Sequence, residues 1–60
     1  MTGKELVQLL IANEYNVDRI NGSHYILEKR GYPSLTIPIH ARRDVAPGLL
    51  NSILKKAGIK

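Results

Sequence analysis

The chain has 60 residues, with nine Lys or Arg against five Asp or Glu, which gives a formal net charge of +4 at pH 7. Sixty residues form one small domain, residues 1–60, with room for a single two-layer core. The absence of cysteine excludes disulfides, thiolate metal sites and a catalytic thiol. With no apolar run of 18 residues and no leader-like N-terminus, the sequence predicts a cytoplasmic protein without a membrane span.

The excess of positive charge favours a polyanion such as nucleic acid as the partner. The chain has no Trp or Phe and only three Tyr. A platform that stacks several bases is therefore not expected, and the composition favours recognition of backbone and shape.

A first helix is predicted at the N-terminus. Thr2-Gly3-Lys4-Glu5 fits a capping box, in which Thr2 and Glu5 each accept a hydrogen bond from the other's backbone N–H. Apolar residues then recur at spacings of three and four to about Asn13, which is typical of an amphipathic helix. They are Leu6, Val7, Leu9, Leu10 and Ile11.

Two strands follow, over residues 15–20 and 24–28. A period near two places Val17 and Arg19 on one face of the first strand, with Ile20 on the other.

The dipeptide Asn21-Gly22 predicts the turn between these strands, because both central positions of a type I′ turn need a positive φ. With that turn, Ile20 pairs with Ser23, and Arg19 lies directly opposite His24 on the same face. A longer turn would change this register.

A third strand is predicted over residues 34–39, after a turn cluster at residues 29–33. Pro38 cannot donate to a ladder, so the strand lies at an edge or ends there.

A second helix should follow the polar loop 40–44. Asp44 or Ala46 is its candidate N-cap, Pro47 lies in its first turn, and Gly58 is the expected residue after its end.

The fold class is therefore α+β, with the order α-β-β-β-α. Two helices of about ten residues cover one face of a three-stranded antiparallel sheet and leave the other face open. An open face on a small basic domain favours binding of a partner.

Several kinds of chemistry are disfavoured. Two histidines without an acidic residue at ligand spacing make a poor metal site, so neither a metal nor another cofactor is expected. The chain has no glycine-rich phosphate loop after a strand and no Gly-x-Ser-x-Gly elbow, which argues against nucleotide hydrolysis and serine-hydrolase chemistry.

Metal-free RNA cleavage fits these residues, because RNA carries its own nucleophile in the 2′-hydroxyl. His24 could act as the base, and Arg19, or one of Arg42 and Arg43, as the phosphate clamp. His40 could protonate the leaving oxygen if the fold brings it near.

Plainer interpretations stay open. His24 could be an ordinary surface residue and Arg42-Arg43 a solvated charge pair. The whole chain could be a non-catalytic double-stranded-RNA-binding module, or a small interaction domain.

Several short motifs, in their order along the chain, also resemble those of a known protein family. Gly22-Ser23-His24 follows a strand that contains Arg19, and Pro38-Ile39-His40 closes the third strand. Pro47-Gly48-Leu49 then precedes residues 52–59, and residues 4–10 fit the opening helix. In this order the chain resembles the HicA family of toxins over essentially its whole length.

The resemblance implies a double-stranded-RNA-binding-domain-like fold and an endoribonuclease that cleaves mRNA, acting as the toxin of a bacterial or archaeal toxin-antitoxin pair. The histidine of the Gly-Ser-His motif is catalytic in that family, and here it is His24. A HicB-like antitoxin would neutralise the enzyme by covering this residue. Besides His24, we expect five residues to contact RNA or its phosphates: Arg19, Ser23, His40, Arg42 and Arg43.

Two departures from the family pattern stand out. Tyr25 takes the place of a second histidine, so a local two-histidine site is absent. Glu14-Tyr15 replaces a glycine followed by an aromatic, which predicts a differently built end for the first helix.

Overall fold

The computed structural model describes residues 1–40 and 43–59. Its elements in chain order are α1 (Gly3–Ala12), β1 (Asn16–Asn21), β2 (His24–Glu28), β3 (Leu35–Pro38) and α2 (Pro47–Lys56). The strands form one antiparallel sheet in the order β1-β2-β3. This confirms the predicted α+β fold. Within the described ranges, no helix has the length and apolarity needed to cross a membrane.

A single apolar core lies between the two helices and one face of the sheet, which we call the inner face. The buried side chains come from both helices, from β2 and β3, and from the segments beside them. They are Leu6, Val7, Leu10, Tyr15, Leu27, Leu35, Ile37, Val45, Ile53 and Ala57. The two helices therefore lie on one face of the sheet, as predicted, and they cover it at β2 and β3, whereas all residues of β1 are exposed.

The opposite face, which we call the outer face, is not covered by either helix. Strand pairing arranges it in three rows of side chains that point away from the core. The rows are Asn21, His24 and Pro38 at one end, Arg19, Ile26 and Thr36 in the middle, and Asn16 and Glu28 at the other end.

The predicted capping box begins α1. The Glu5 N–H donates to the Thr2 hydroxyl at 3.2 Å, and the Thr2 N–H donates to the Glu5 carboxylate at 2.9 Å. These bonds satisfy two backbone donors that the helix itself leaves unpaired. The backbone bond from Thr2 also lowers the pKa of the Glu5 carboxyl, because it stabilises the charged form.

The end of α1 has the usual glycine-type geometry although no glycine is present. The Tyr15 N–H donates to the Leu10 carbonyl at 3.0 Å, and the Glu14 N–H donates to the Ile11 carbonyl at 3.1 Å. This pair of bonds is a Schellman motif, and it requires a left-handed residue, which here is Glu14 with a φ of 72°. The expectation of a differently built helix end is therefore wrong: Glu14 accepts the strain because Tyr15 is then buried against Leu10.

The hairpin turn lies one residue later than predicted. Asn21 pairs with His24, so the two loop residues are Gly22 and Ser23. Of these, only Gly22 has a positive φ, at 62°, which is the pattern of a type II′ turn with glycine first. The predicted pairing of Arg19 directly with His24 is wrong, because Arg19 pairs with Ile26.

A β-bulge at Asp18 changes which face of the sheet the side chains of β1 lie on. Val17 pairs with Leu27 and Arg19 with Ile26, so Asp18 is the extra residue. Val17 therefore lies on the inner face and Arg19 on the outer face, and the expectation that they share a face is wrong. Without the bulge, strict alternation counted back from the turn would place the Asp18 carboxylate on the inner face and Val17 on the outer face.

Substitution of Glu14 tests the strained helix end. We expect Glu14→Gly to raise the free energy of unfolding by about 1 kcal/mol, because glycine adopts a left-handed conformation without a steric penalty. Denaturant unfolding followed by circular dichroism measures the change. Glu14→Ala is the matched control, since it removes the same side chain and keeps the strain. Equal stability of the glycine and alanine variants would contradict this account.

The first turns of the two helices offer a second test. A Cβ on Gly3 would overlap the backbone carbonyl of Pro38, whereas a Cβ on Gly48 would meet nothing within 4 Å. We expect Gly3→Ala to lower the free energy of unfolding by about 1–3 kcal/mol. Gly48→Ala should leave it unchanged or raise it by up to about 1 kcal/mol. Thermal melts of both variants decide the matter, and a stabilising Gly3→Ala would show that α1 does not approach β3 this closely.

Candidate active site

His24 lies at an exposed corner of the sheet. It is the first residue of β2 and lies on the outer face between Asn21 on β1 and Pro38 on β3. The turn before it is fastened to the end of β3, because the Ile39 N–H donates to the Ser23 carbonyl at 2.7 Å. The His24 imidazole is exposed and makes no hydrogen bond to any described residue. Its ring is therefore accessible to a substrate on the open face.

Arg19 is on the same face as His24, as predicted, but diagonally across the hairpin. It pairs with Ile26, which is two residues beyond His24 on β2. Diagonal neighbours in an antiparallel pair lie roughly 7–8 Å apart, within reach of a long side chain. The guanidinium of Arg19 can thus approach a phosphate beside His24 without contacting the imidazole directly.

His40 and Arg43 lie at the same end of the sheet. His40 follows β3 by two residues, and the Arg43 N–H donates to the His40 carbonyl at 2.8 Å. Both line a shallow cavity of about 280 Å³, and Pro38, which pairs with His24, forms part of its wall. The fold therefore brings Ser23, His40 and Arg43, which are predicted to contact RNA, to the end of the sheet that carries His24, and Arg19 lies in the neighbouring row of the outer face. The fifth, Arg42, lies outside the described residues.

Asn21 is not among the predicted site residues, because the dipeptide Asn21-Gly22 indicates a turn. The observed register places Asn21 directly opposite His24 on the outer face. Its amide can donate to and accept from a bound nucleotide. The signal available in the sequence was Gly22-Ser23, since a type II′ turn takes glycine at its first central position.

A metal centre has no support in the described part of the chain. Within residues 1–40 and 43–59, no three His, Cys, Asp or Glu side chains lie close enough together to hold an ion. The arrangement offers instead an accessible imidazole, a nearby guanidinium and a second histidine-arginine pair. These groups can transfer protons and stabilise phosphate charge.

Comparison with protein families gives a match over almost the whole chain. A family model described as HicA toxin of bacterial toxin-antitoxin matches residues 3–59. A search of curated proteins gives no match.

Truncation of His24 should cost little stability, because the ring is exposed and does not pack in the core. We expect His24→Ala to change the free energy of unfolding by less than about 0.5 kcal/mol. Leu27→Ala, which removes a fully buried side chain from the inner face of the same strand, should lower it by about 2–5 kcal/mol. Urea unfolding compares the two variants. A large loss for His24→Ala would mean that the histidine has a structural role.

Proposed function

The chain belongs to the HicA family of toxins of bacterial toxin-antitoxin systems, and we propose that it is a metal-independent endoribonuclease that cleaves mRNA with His24 as its essential acid-base residue. The observation that carries the proposal is the placement of His24. It is exposed at the start of β2, has no part in the core, and shares the open face with Arg19.

The first chemical step needs a base and a nucleophile. The imidazole of neutral His24 takes the proton from a ribose 2′-hydroxyl, and that oxygen attacks the adjacent phosphorus. The 5′-oxygen of the next nucleotide leaves, and the products are a 2′,3′-cyclic phosphate and a 5′-hydroxyl. An imidazole can both accept and release a proton, so this transfer does not require a metal.

Charge stabilisation is the role of the arginines. The pentacovalent phosphorane carries more negative charge on its oxygens than the starting diester. A guanidinium that reaches those oxygens on the open face stabilises the transition state more than the ground state. Arg19 is placed for this role on the same face, and Arg43 approaches from the loop after β3.

Protonation of the leaving oxygen requires an acid. His40 lies at the same end of the sheet as His24 and is exposed, so its imidazolium can deliver that proton. Ser23 and Asn21 offer neutral hydrogen-bonding groups around the same nucleotide.

The family implies an antitoxin partner. We propose that a HicB-like antitoxin in the same cytoplasm blocks RNA access to the outer face around His24. A basic toxin surface attracts an acidic partner and RNA alike, so the two compete for this face.

A non-catalytic double-stranded-RNA-binding module is the second candidate, and the fold and the net charge of +4 favour it. Modules of that kind contact about 16 base pairs through a long basic surface. This chain spreads nine basic residues over its whole length, which offers fewer phosphate contacts in any one direction.

Cleavage of a defined single-stranded RNA in EDTA tests the proposal. We expect the parent to release cyclic-phosphate ends and His24→Ala to lose about 10²–10⁴-fold in rate, the usual contribution of general acid-base catalysis. Arg19→Gln should lose about 10–100-fold through kcat.

Lys55→Gln is the matched control for Arg19→Gln, because it removes one positive charge from exposed α2. Its rate should equal that of the parent. If neither the parent nor any variant cleaves the RNA, and the parent still binds duplex RNA in a salt-dependent way, the chain is a binding module. If His24→Ala cleaves as fast as the parent, the assignment of His24 is wrong.

A further inference from the structure

A second polar cavity lies at the end of the outer face remote from His24. It has a volume of about 410 Å³. Its lining residues are Asn16, Glu28, Lys29, Arg30, Tyr32 and Ser34. Asn16 and Glu28 form the last row of the outer face, so the cavity continues the surface that carries His24. Glu28 is four residues after His24 on β2, a distance of roughly 13 Å along the strand.

Tyr32 provides a fixed aromatic ring at this cavity. It is 44% exposed, yet its inner side is held. The Tyr32 N–H donates to the Lys29 carbonyl at 3.0 Å. The ring meets Tyr15 edge to face with centroids 6.3 Å apart, and it lies against Gly58, where an added Cβ would be 3.2 Å from the Tyr32 Cε2 atom. A ring fixed on one side and open on the other is a suitable stacking surface.

The Lys29 ammonium lies near the Tyr32 ring. It is 4.4 Å from the Tyr32 centroid and 5.6 Å from the Tyr15 centroid, where it benefits from the negative faces of the rings. A lysine side chain is flexible, so it can leave the ring for a nearby phosphate and allow a flat base to take its place.

The remaining lining groups match the edge of a nucleobase. The Glu28 carboxylate accepts hydrogen bonds and therefore favours a base with an exocyclic amino group. The Asn16 amide both donates and accepts. Arg30 is exposed at the rim and suits a phosphate.

We propose that this cavity is a nucleobase subsite, in which one base of the RNA strand stacks on Tyr32 with its polar edge against Glu28 and Asn16. The strand crosses the outer face from His24, and the base lies a few nucleotides from the cleaved bond. This inference rests on the proposed ribonuclease function and adds to it a source of sequence preference. A single aromatic ring suffices, because every base has a stacking face.

The test is a scan with an RNA that the parent cleaves at one bond, in which each base in turn is replaced by an abasic nucleotide. We expect one position, separated from the cleaved bond by a few nucleotides, to lower kcat/KM by roughly 5- to 100-fold, the usual effect of one base–aromatic stack. The loss should lie in KM, because stacking is the same in the ground state and the transition state.

Two variants of Tyr32 form the matched pair. Tyr32→Leu keeps an apolar side chain against Gly58 and removes the ring. It should therefore weaken binding of the unmodified RNA and abolish the effect of an abasic nucleotide at that position. Tyr32→Phe keeps the ring and should retain the sensitivity. Equal sensitivity in the leucine variant and the parent, or no sensitive position outside the cleaved dinucleotide, would overturn the subsite.

Glu28→Gln keeps the test decisive even if the leucine variant does not fold, since Glu28 is exposed and outside the core. It should reduce the preference for an amino-bearing base at the sensitive position, and an unchanged preference would count against the assignment. Absence of cleavage by the parent contradicts the proposed function itself. Cleavage without a sensitive position contradicts the subsite alone.

Discussion

Burial of apolar surface on one side of a three-stranded sheet is the constraint on which this molecule depends. Two ten-residue helices supply apolar side chains, including Leu6, Leu10 and Ile53, that cover the inner face at β2 and β3 and leave the inner side of β1 exposed. Because strand side chains alternate, each strand that contributes to the core also presents residues to the opposite side. Side chains on the outer face therefore do not fill the core, and polar groups such as His24 can lie there at little cost in stability.

Two local features, the hairpin turn and a β-bulge, determine which side chains lie on the outer face. The glycine-first turn sets the register of the hairpin and places Asn21 opposite His24. The bulge at Asp18 then changes the alternation of β1, so that Val17 lies on the apolar side while Arg19 stays on the open side. The combination of an imidazole with a diagonal guanidinium is thus a consequence of one turn and one extra residue.

The outer face connects two chemically different ends. One end has the histidines and arginines that suit proton transfer and phosphate charge, and the other has Tyr32 and Glu28, which suit a base. A strand of RNA lying across the sheet would contact both, whereas a duplex has its bases stacked and shielded from Tyr32. An antitoxin that covers either end would obstruct the same path. The proposed activity and its proposed inhibition would then depend on the same surface.

The sequence by itself determined the order of elements, the capping box, the two helix stripes and the exposure of His24, because these follow from local periodicity and short-range hydrogen bonds. Its resemblance to the HicA family is likewise confirmed by the match over residues 3–59. Only the tertiary structure decided the register, since Asn21-Gly22 and Gly22-Ser23 are both good turn sequences, and the observed pairing sets Val17 opposite Leu27 and Ile20 opposite Tyr25. It also decided that Glu14 takes a left-handed conformation to bury Tyr15, and that His40 and Arg43 lie at the end of the sheet that carries His24. Contacts between residues distant in the chain depend on how the core closes, and no local pattern encodes them.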